Sequence, residues 1–389
     1  MKIHACFQTL ALFAAALSSV AQDSTLPSPI GKAHRGETLF MKGFPGAHDN
    51  GRSCATCHVP EEAFQLTPQH VEARFQGLQQ RRLKHPSADD PLFRSIDAND
   101  FADDFTNLRN HALVRVSITL PTNAAGEKLI WPVNDPTATV VAVWRSTPTV
   151  WNTAFTGPYQ LDGRQPTLQA QALGALVAHS EITREPKEKF LDDIAAFQTA
   201  QFSSPAVKEL AAALANGVTP PPTDPVLNIE EQRGKLLFNQ HCATCHGGPT
   251  QTVPLTRLPP GIRNIRISKP VPPAGADLPF APSPIAPRLW AFRVPGQTAP
   301  EVRSSTDPGQ ALLTGNIAHL NFFDIPTLYG ISRTAPYFHD NSAATLEDVV
   351  RHYQVDAIFV RRVAPVGAPR PDLILDDEIE PLVAYLKKI

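Results

Sequence analysis

The sequence predicts a mainly α-helical protein of two similar units with long proline-rich loops, and three observations carry that expectation. One is a repeat: Arg35-Gly36-Glu37-Thr38-Leu39-Phe40 returns as Arg233-Gly234-Lys235-Leu236-Leu237-Phe238, the same R-G-x-x-L-F with its apolar residues on one helical face. Another is proline, 39 of 389 residues, which removes backbone donors and breaks long helices and central strands into short elements. The last is the balance of 42% hydrophobic to 19% charged residues, which supports packed cores over a length suited to two domains.

The elements follow in chain order. Residues 1–21 read as an export leader: Met1 and Lys2 give a positive start, Ala11 to Leu17 an apolar run too short to span a bilayer, and Ser19-Val20-Ala21 a small-x-small cleavage pattern. Cleavage after Ala21 removes Cys6 and leaves four cysteines in a mature chain expected in the periplasm, with no second membrane-length segment. An uncleaved amino-terminal anchor is the alternative. Formal charge is −2, from 35 basic and 37 acidic residues without a long lysine or arginine run, so nothing predicts nucleic-acid binding.

The four remaining cysteines stand as Cys54-Ala-Thr-Cys57-His58 and Cys242-Ala-Thr-Cys245-His246. C-x-x-C-H is the attachment signature of a c-type haem: the two thiols add to the two vinyl groups, and the adjacent histidine reaches the iron as an axial ligand. Two covalently bound haems are expected. Disulfides fit an exported chain but not an identical doubled motif; a thioredoxin-like pair does not need the histidine, and a zinc site joining both pairs would make the two histidines a coincidence.

Further on, Asp376 to Ile389 reads as an amphipathic helix with acidic residues at its start and Lys387 and Lys388 at its end, in the sense the helix dipole favours. Lys189 to Thr199 is its expected counterpart in the first unit. Thr219 to Pro225, with four prolines, reads as a stiff extended linker. The boundaries expected are residues 22–218 for the first unit, with an insertion over 61–145, then 219–227 for the linker and 228–389 for the second unit. The insertion contains basic Arg74 to His85, acidic Asp100 to Asp104 and a strand-like His111 to Leu120; it is expected mainly to cover the surface, with protein docking as the other reading. Pro254 to Pro300 is expected to wrap the second unit as ordered loop.

At this point the sequence resembles the di-haem bacterial cytochrome c peroxidases and the related MauG enzymes, which oxidise residues of a partner protein. The resemblance rests on both C-x-x-C-H motifs, Ser146-Thr147-Pro148-Thr149-Val150-Trp151-Asn152, Asp162-Gly163-Arg164, Phe323 to Leu328 and Thr334 to His339. It implies two cytochrome c-type haem domains, an electron-transfer haem in the second and a peroxide-reactive haem in the first. Read onward from Asp162-Gly163-Arg164, it places Gln171 and Glu181 on the peroxide-binding face, where a carboxylate moves a proton between the two peroxide oxygens. A tryptophan expected before the D-G-R is here Leu161, which cannot be oxidised, leaving Tyr159, Trp151 or direct tunnelling. A ligating methionine expected near Pro336 is here Ala335. MauG-like enzymes use a tyrosine ligand instead; Tyr337 is the nearest, with packing as its other role and His319 and His339 as further ligand candidates. His70, His85 and His111 are candidate distal ligands, and His179 reads as a surface or domain-interface residue. A calcium ion is also implied, at a site where Ser146 replaces an asparagine. The functions implied are reduction of hydrogen peroxide with electrons from a small cytochrome or copper protein, oxidation of a protein substrate, or electron carriage alone.

Overall fold

The computed structural model of the protein describes residues 29–46, 48–99, 104–252, 264–266, 283–363 and 372–389. The expected leader, residues 100–103 of the acidic segment and most of the stretch from Pro254 to Ser283 lie outside them.

The chain opens with α1 (Pro29–Lys42), passes the first C-x-x-C-H turn, and continues through α2 (Pro68–Lys84) and α3 (Thr106–His111). Strands β1 (Leu113–Thr119), β2 (Ile130–Pro132) and β3 (Val140–Ser146) follow, then α4 (Leu168–His179), α5 (Glu188–Thr199) and α6 (Pro205–Ala215). After the irregular linker come α7 (Ile229–His241), β4 (Asn264–Arg266), β5 (Arg288–Phe292), β6 (Glu301–Ser305), α8 (Ala311–Thr314), β7 (Phe322–Asp324), α9 (Leu346–Val363) and α10 (Asp376–Leu386). Local chemistry sets several starts. Thr67, Thr167 and Ser204 accept a hydrogen bond from the first helical turn, with Pro68 and Pro205 in the first turns of α2 and α6. Asn228 and Glu231 form a reciprocal capping box on α7.

The repeated R-G-x-x-L-F marks a helix crossing. In the first half α1 packs across α5 at Gly36, where an added Cβ would lie 1.9 Å from the Asp193 carbonyl oxygen and 2.9 Å from Phe197 Cβ. In the second, α7 crosses α10 at Gly234, where it would meet the Pro381 oxygen at 1.9 Å and Tyr385 Cβ at 2.8 Å. Glycine is the only residue that lets these backbones touch. The closing helices expected at 189–199 and 376–389 are therefore α5 and α10, in equivalent contacts.

A second repeat becomes visible only with the fold. Pro148-Thr149, Pro158-Tyr159, Asp162 and Thr167-Leu168 recur 178 residues later as Pro326-Thr327, Pro336-Tyr337, Asp340 and Thr345-Leu346. The copies share conformation: Tyr159 bridges Gln165 as Tyr337 bridges Ala343, and Thr167 caps α4 as Thr345 caps α9.

The insertion is more than a cover. Val71, Leu78, Leu92, Leu108 and Ala112 are buried in a core of its own, which also takes in Val59 and Leu66 beside the first C-x-x-C-H turn. The expected strand over 111–120 is β1, antiparallel to β3, and β2 pairs with β5, so insertion and second half share a sheet. The basic stretch on α2 is largely paired: Arg74 and Arg81 meet Asp90, and Arg109 of α3 meets Glu72 at 2.8 Å. Among the described residues no helix is long and apolar enough to cross a membrane.

The candidate haem and peroxide site

In each C-x-x-C-H turn the histidine is oriented through its ring. His58 Nδ1 lies 3.0 Å from the Phe64 carbonyl oxygen and His246 Nδ1 lies 3.1 Å from that of Gln251. A carbonyl only accepts, so both Nδ1 atoms carry the proton and both Nε2 atoms keep a lone pair for a metal. Burial lowers both histidines, His246 to about 4, so each is neutral at neutral pH. The cysteines are unpaired and half-buried. Burial, reinforced by the neighbouring Cys57, pushes Cys54 up to about 12; burial pushes Cys57 up to about 11 and Cys242 up to about 12. They are therefore thiols, the form that adds to vinyl groups, and not ready metal-binding thiolates. Among the described residues no three His, Cys, Asp or Glu side chains converge as a metal cluster, so the two pairs are not folded around one ion. A cavity of about 500 Å³ opens beside His246, lined in part by Phe238, Ala243, Gln251, Tyr329 and Tyr385. Paired thiols, a neutral histidine with a free lone pair and an adjoining void fit a haem.

The linker closes over that cavity. Thr223 Oγ1 lies 2.8 Å from the Tyr329 hydroxyl, which donates to the Pro249 carbonyl at 2.9 Å, and Asp224 pairs with Lys235 at 2.8 Å. The expected extended segment is thus fastened to the second half.

Glu181 is held against the loop leading into the first motif. It follows the last turn of α4 with φ of +51°, and its Oε2 accepts from Asn50 Nδ2 at 2.8 Å. Asn50 Nδ2 also donates to the His179 carbonyl, and Asn50 N to that of Ser180, both at 3.0 Å. Gln171 lies one helix earlier, half-buried on α4, the helix whose Ala172 and Leu176 pack with Cys54 and Leu39. Beneath the turn sits Arg52, 2% exposed, paired with buried Asp97 at 2.7 Å and donating to the carbonyls of Pro91, Leu92 and His179. His179, read from sequence as a surface or domain-interface residue, is half-buried at the end of α4, and burial lowers its pKa. Arg52 and Asp97 were absent from the sequence reading; a charged residue two positions before C-x-x-C-H is the only linear signal.

Between the halves lies a buried ion network that the D-G-R motif announced without explaining. Arg145 pairs with Asp162 at 2.5 Å and with Asp307 at 2.6 Å, and Arg164 adds 2.8 Å to Asp162. Burial would raise Asp307, but the Arg145 charge and hydrogen bonds outweigh it and hold the carboxyl below its usual range. Leu161 turns its carbonyl to Asp324 N at 2.8 Å, and its repeat counterpart His339 stacks on Phe323 at 4.1 Å between ring centres. The Ser146 hydroxyl donates to the Phe338 carbonyl at 3.0 Å. Tyr337 is 8% exposed, donates to the Ile331 carbonyl at 3.0 Å, and is pushed up to about 12 by burial. Of the other histidines, His70 meets Glu62 at 3.2 Å, His85 caps the end of α2, the His111 carbonyl accepts from Asn341, and His319 bonds Thr314.

Each C-x-x-C-H turn presents the paired thiols and the ring-oriented histidine that a haem attachment needs. Residues 32–216 match the profile of the di-haem cytochrome c peroxidases. A cytochrome c551 peroxidase of Nitrosomonas europaea is 37% identical over 84 residues, 21% of this chain and 21% of that protein. Cytochrome-c peroxidase IdrP1 of Denitromonas iodatirespirans is 26% identical over 274 residues, 63% of this chain and 68% of that protein. Among solved structures, a MauG-like protein associated with microbial copper homeostasis aligns with 92% of this chain and 87% of its own, at 19% identity and a TM-score of 0.43. The diheme peroxidase BthA of Burkholderia thailandensis E264 aligns with 93% of this chain and 88% of its own, at 14% identity and a TM-score of 0.42. Residues 32–216 carry a di-haem cytochrome c peroxidase domain, and the chain spans about a fifth of the first of these curated relatives and about two thirds of the second.

Proposed function

We propose that the protein is an exported, periplasmic c-type peroxidase that reduces hydrogen peroxide with electrons from a small cytochrome or copper protein. The observation that supports this most is the attachment of Glu181, through Asn50, to the loop that enters the first C-x-x-C-H turn. Cys54 and Cys57 would hold one haem by thioether bonds and Cys242 and Cys245 the other, with His58 and His246 offering Nε2 to the iron. A bound haem would supply the iron at which peroxide is reduced. Glu181 would take the proton from one peroxide oxygen and return it to the other, and Gln171 would orient the peroxide by hydrogen bonding. Each peroxide, with two electrons and two protons, would yield two waters. Asn50 keeps the carboxylate aimed, and the αL conformation at Glu181 turns it back from the helix end. Residues 22–218 and 228–389 act as the two haem domains, joined by 219–227.

Glu181→Gln tests this. General acid–base catalysis contributes about 10²–10⁴-fold, so turnover falls by that order while haem content and the thermal transition stay as in the parent; unchanged turnover overturns the assignment.

A MauG-like use of the same site on a protein substrate is favoured by one residue, Ala335, which cannot supply a methionine ligand. A tyrosine ligand then replaces it. Tyr337 can serve only by giving up its bond to Ile331 and losing a proton held to about 12. Tyr337→Phe tests this: the haem spectrum changes if Tyr337 is the ligand and stays parental if it is not. A calcium ion remains a proposal, tested by the thermal shift on chelation.

A further inference from the structure

The saturated side chain of Leu161 leaves open how an electron crosses from one half to the other. We infer that it crosses on the histidine side of both haems, along a hydrogen-bonded chain that joins His58 to His246 through Trp151, Asn152 and Tyr329. The inference rests on the two-haem reading above.

Every link is present. His58 Nδ1 donates to the Phe64 carbonyl at 3.0 Å, and the adjoining Ala63 carbonyl accepts from Thr149 Oγ1 at 2.6 Å. That hydroxyl accepts from Trp151 N at 3.1 Å. The next residue, Asn152, is 0% exposed and crosses the boundary between the halves: its Nδ2 donates to the Tyr329 carbonyl at 3.1 Å. The Tyr329 hydroxyl then donates to the Pro249 carbonyl at 2.9 Å, two residues before Gln251, whose carbonyl accepts from His246 Nδ1 at 3.1 Å. Packing runs beside the bonds. Trp151 packs with Phe40, Phe64 and Phe197 under His58, its ring comes within 3.5 Å of the Cβ position of Gly330, and Tyr329 lines the cavity beside His246.

Three features make this a better route than one through Leu161. It is bonded at both ends to the imidazole that ligates iron, so coupling enters through the ligand and not across a void. It carries the Tyr329 ring within the bonded path and the Trp151 ring packed beside it, where the Leu161 position carries no conjugated side chain. It is also built symmetrically: Trp151 and Tyr329 are repeat counterparts, and each backbone N–H donates to a threonine hydroxyl two residues earlier, Thr149 at 3.1 Å and Thr327 at 3.4 Å. Tyr159, the other aromatic considered, spends its hydroxyl on the Thr153 carbonyl within the first half.

The step moves one electron and nothing else. It would leave the haem held by His246, supplied by the small redox protein, and reach the haem held by His58, oxidised by peroxide; no bond forms or breaks and no proton leaves Tyr329. Trp151, Asn152 and Tyr329 are thus positioning residues that couple the irons.

The test is rapid photoreduction of the di-ferric holoprotein, following redistribution of the electron between the two haems from their separate absorption bands. Tyr329→Phe keeps the ring and removes the Pro249 link; Trp151→Phe shortens the conjugated path; Leu161→Ala is the control on the other route. Severalfold slower redistribution in Tyr329→Phe and Trp151→Phe, each compared with the parent at equal attached-haem content, with parental rates in Leu161→Ala, is expected. Parental rates in both aromatic variants, or slowing confined to Leu161→Ala, overturn the route while leaving the peroxidase reading intact. Haem spectra that do not respond to peroxide in the parent would instead defeat the peroxidase reading.

Discussion

Asn152 shows what a motif residue does once its surroundings are known. In sequence it ended a family stretch; in the fold its side chain accepts from Ser203 N at 3.0 Å and donates to the Tyr329 carbonyl, at a φ of +65° that asparagine tolerates better than most residues. Asn152→Ala leaves both groups buried and unpaired, at about 1–3 kcal/mol each way the loss is shared, and chemical denaturation should register a lower midpoint. Arg145 is more demanding, because its removal strands Asp162 and Asp307. Arg145→Leu should cost about 3–5 kcal/mol, the usual penalty for breaking a buried pair. Asp307 also fixes a pH dependence. Its folded pKa lies below the unfolded value, so the stability it contributes is complete above the ordinary aspartate range near 3.9 and drains away as pH falls below it. Below about pH 4 the melting temperature should therefore fall more steeply with pH for the parent than for Asp307→Asn.

At the scale of elements, the two helix crossings were legible because their cause is local. R-G-x-x-L-F placed glycine in the middle of an amphipathic helix, where it is intrinsically unfavourable, and the close approach to Asp193 and Pro381 is what that glycine serves. Gly36→Ala and Gly234→Ala should each cost at least the 1–3 kcal/mol typical of overpacking, since the obstructing atoms are backbone; separate loss of haem from the affected half would register in the attached-haem count. The 178-residue repeat was not legible, because its shared residues are few and their common role is a turn conformation and a helix cap, not a run of similar side chains. The role of the insertion was hidden for a related reason. Beyond its own core, its strand β2 pairs with β5 and Ile130 packs with Trp290 and Phe292 of the second half, contacts that no window of sequence contains.

For the whole molecule, the two C-x-x-C-H turns and the helices that cross beside them could be read from the sequence, whereas the contacts that join the two halves could not. Asn152 to Tyr329, Arg145 to Asp307 and Ser146 to Phe338 each connect residues more than 160 positions apart. The same holds for the Glu181 turn: resemblance supplied the residue, but Asn50 and the Arg52–Asp97 pair that hold its turn come from segments separated by folding. The proposed peroxide reduction is tested by the stoichiometry of purified protein mixed with hydrogen peroxide and a reduced small c-type cytochrome, run beside Glu181→Gln. One peroxide should disappear for each pair of cytochromes oxidised, with the variant slowed by about 10²-fold or more. Cytochrome that stays reduced while peroxide persists, or equal rates in parent and variant, would contradict it.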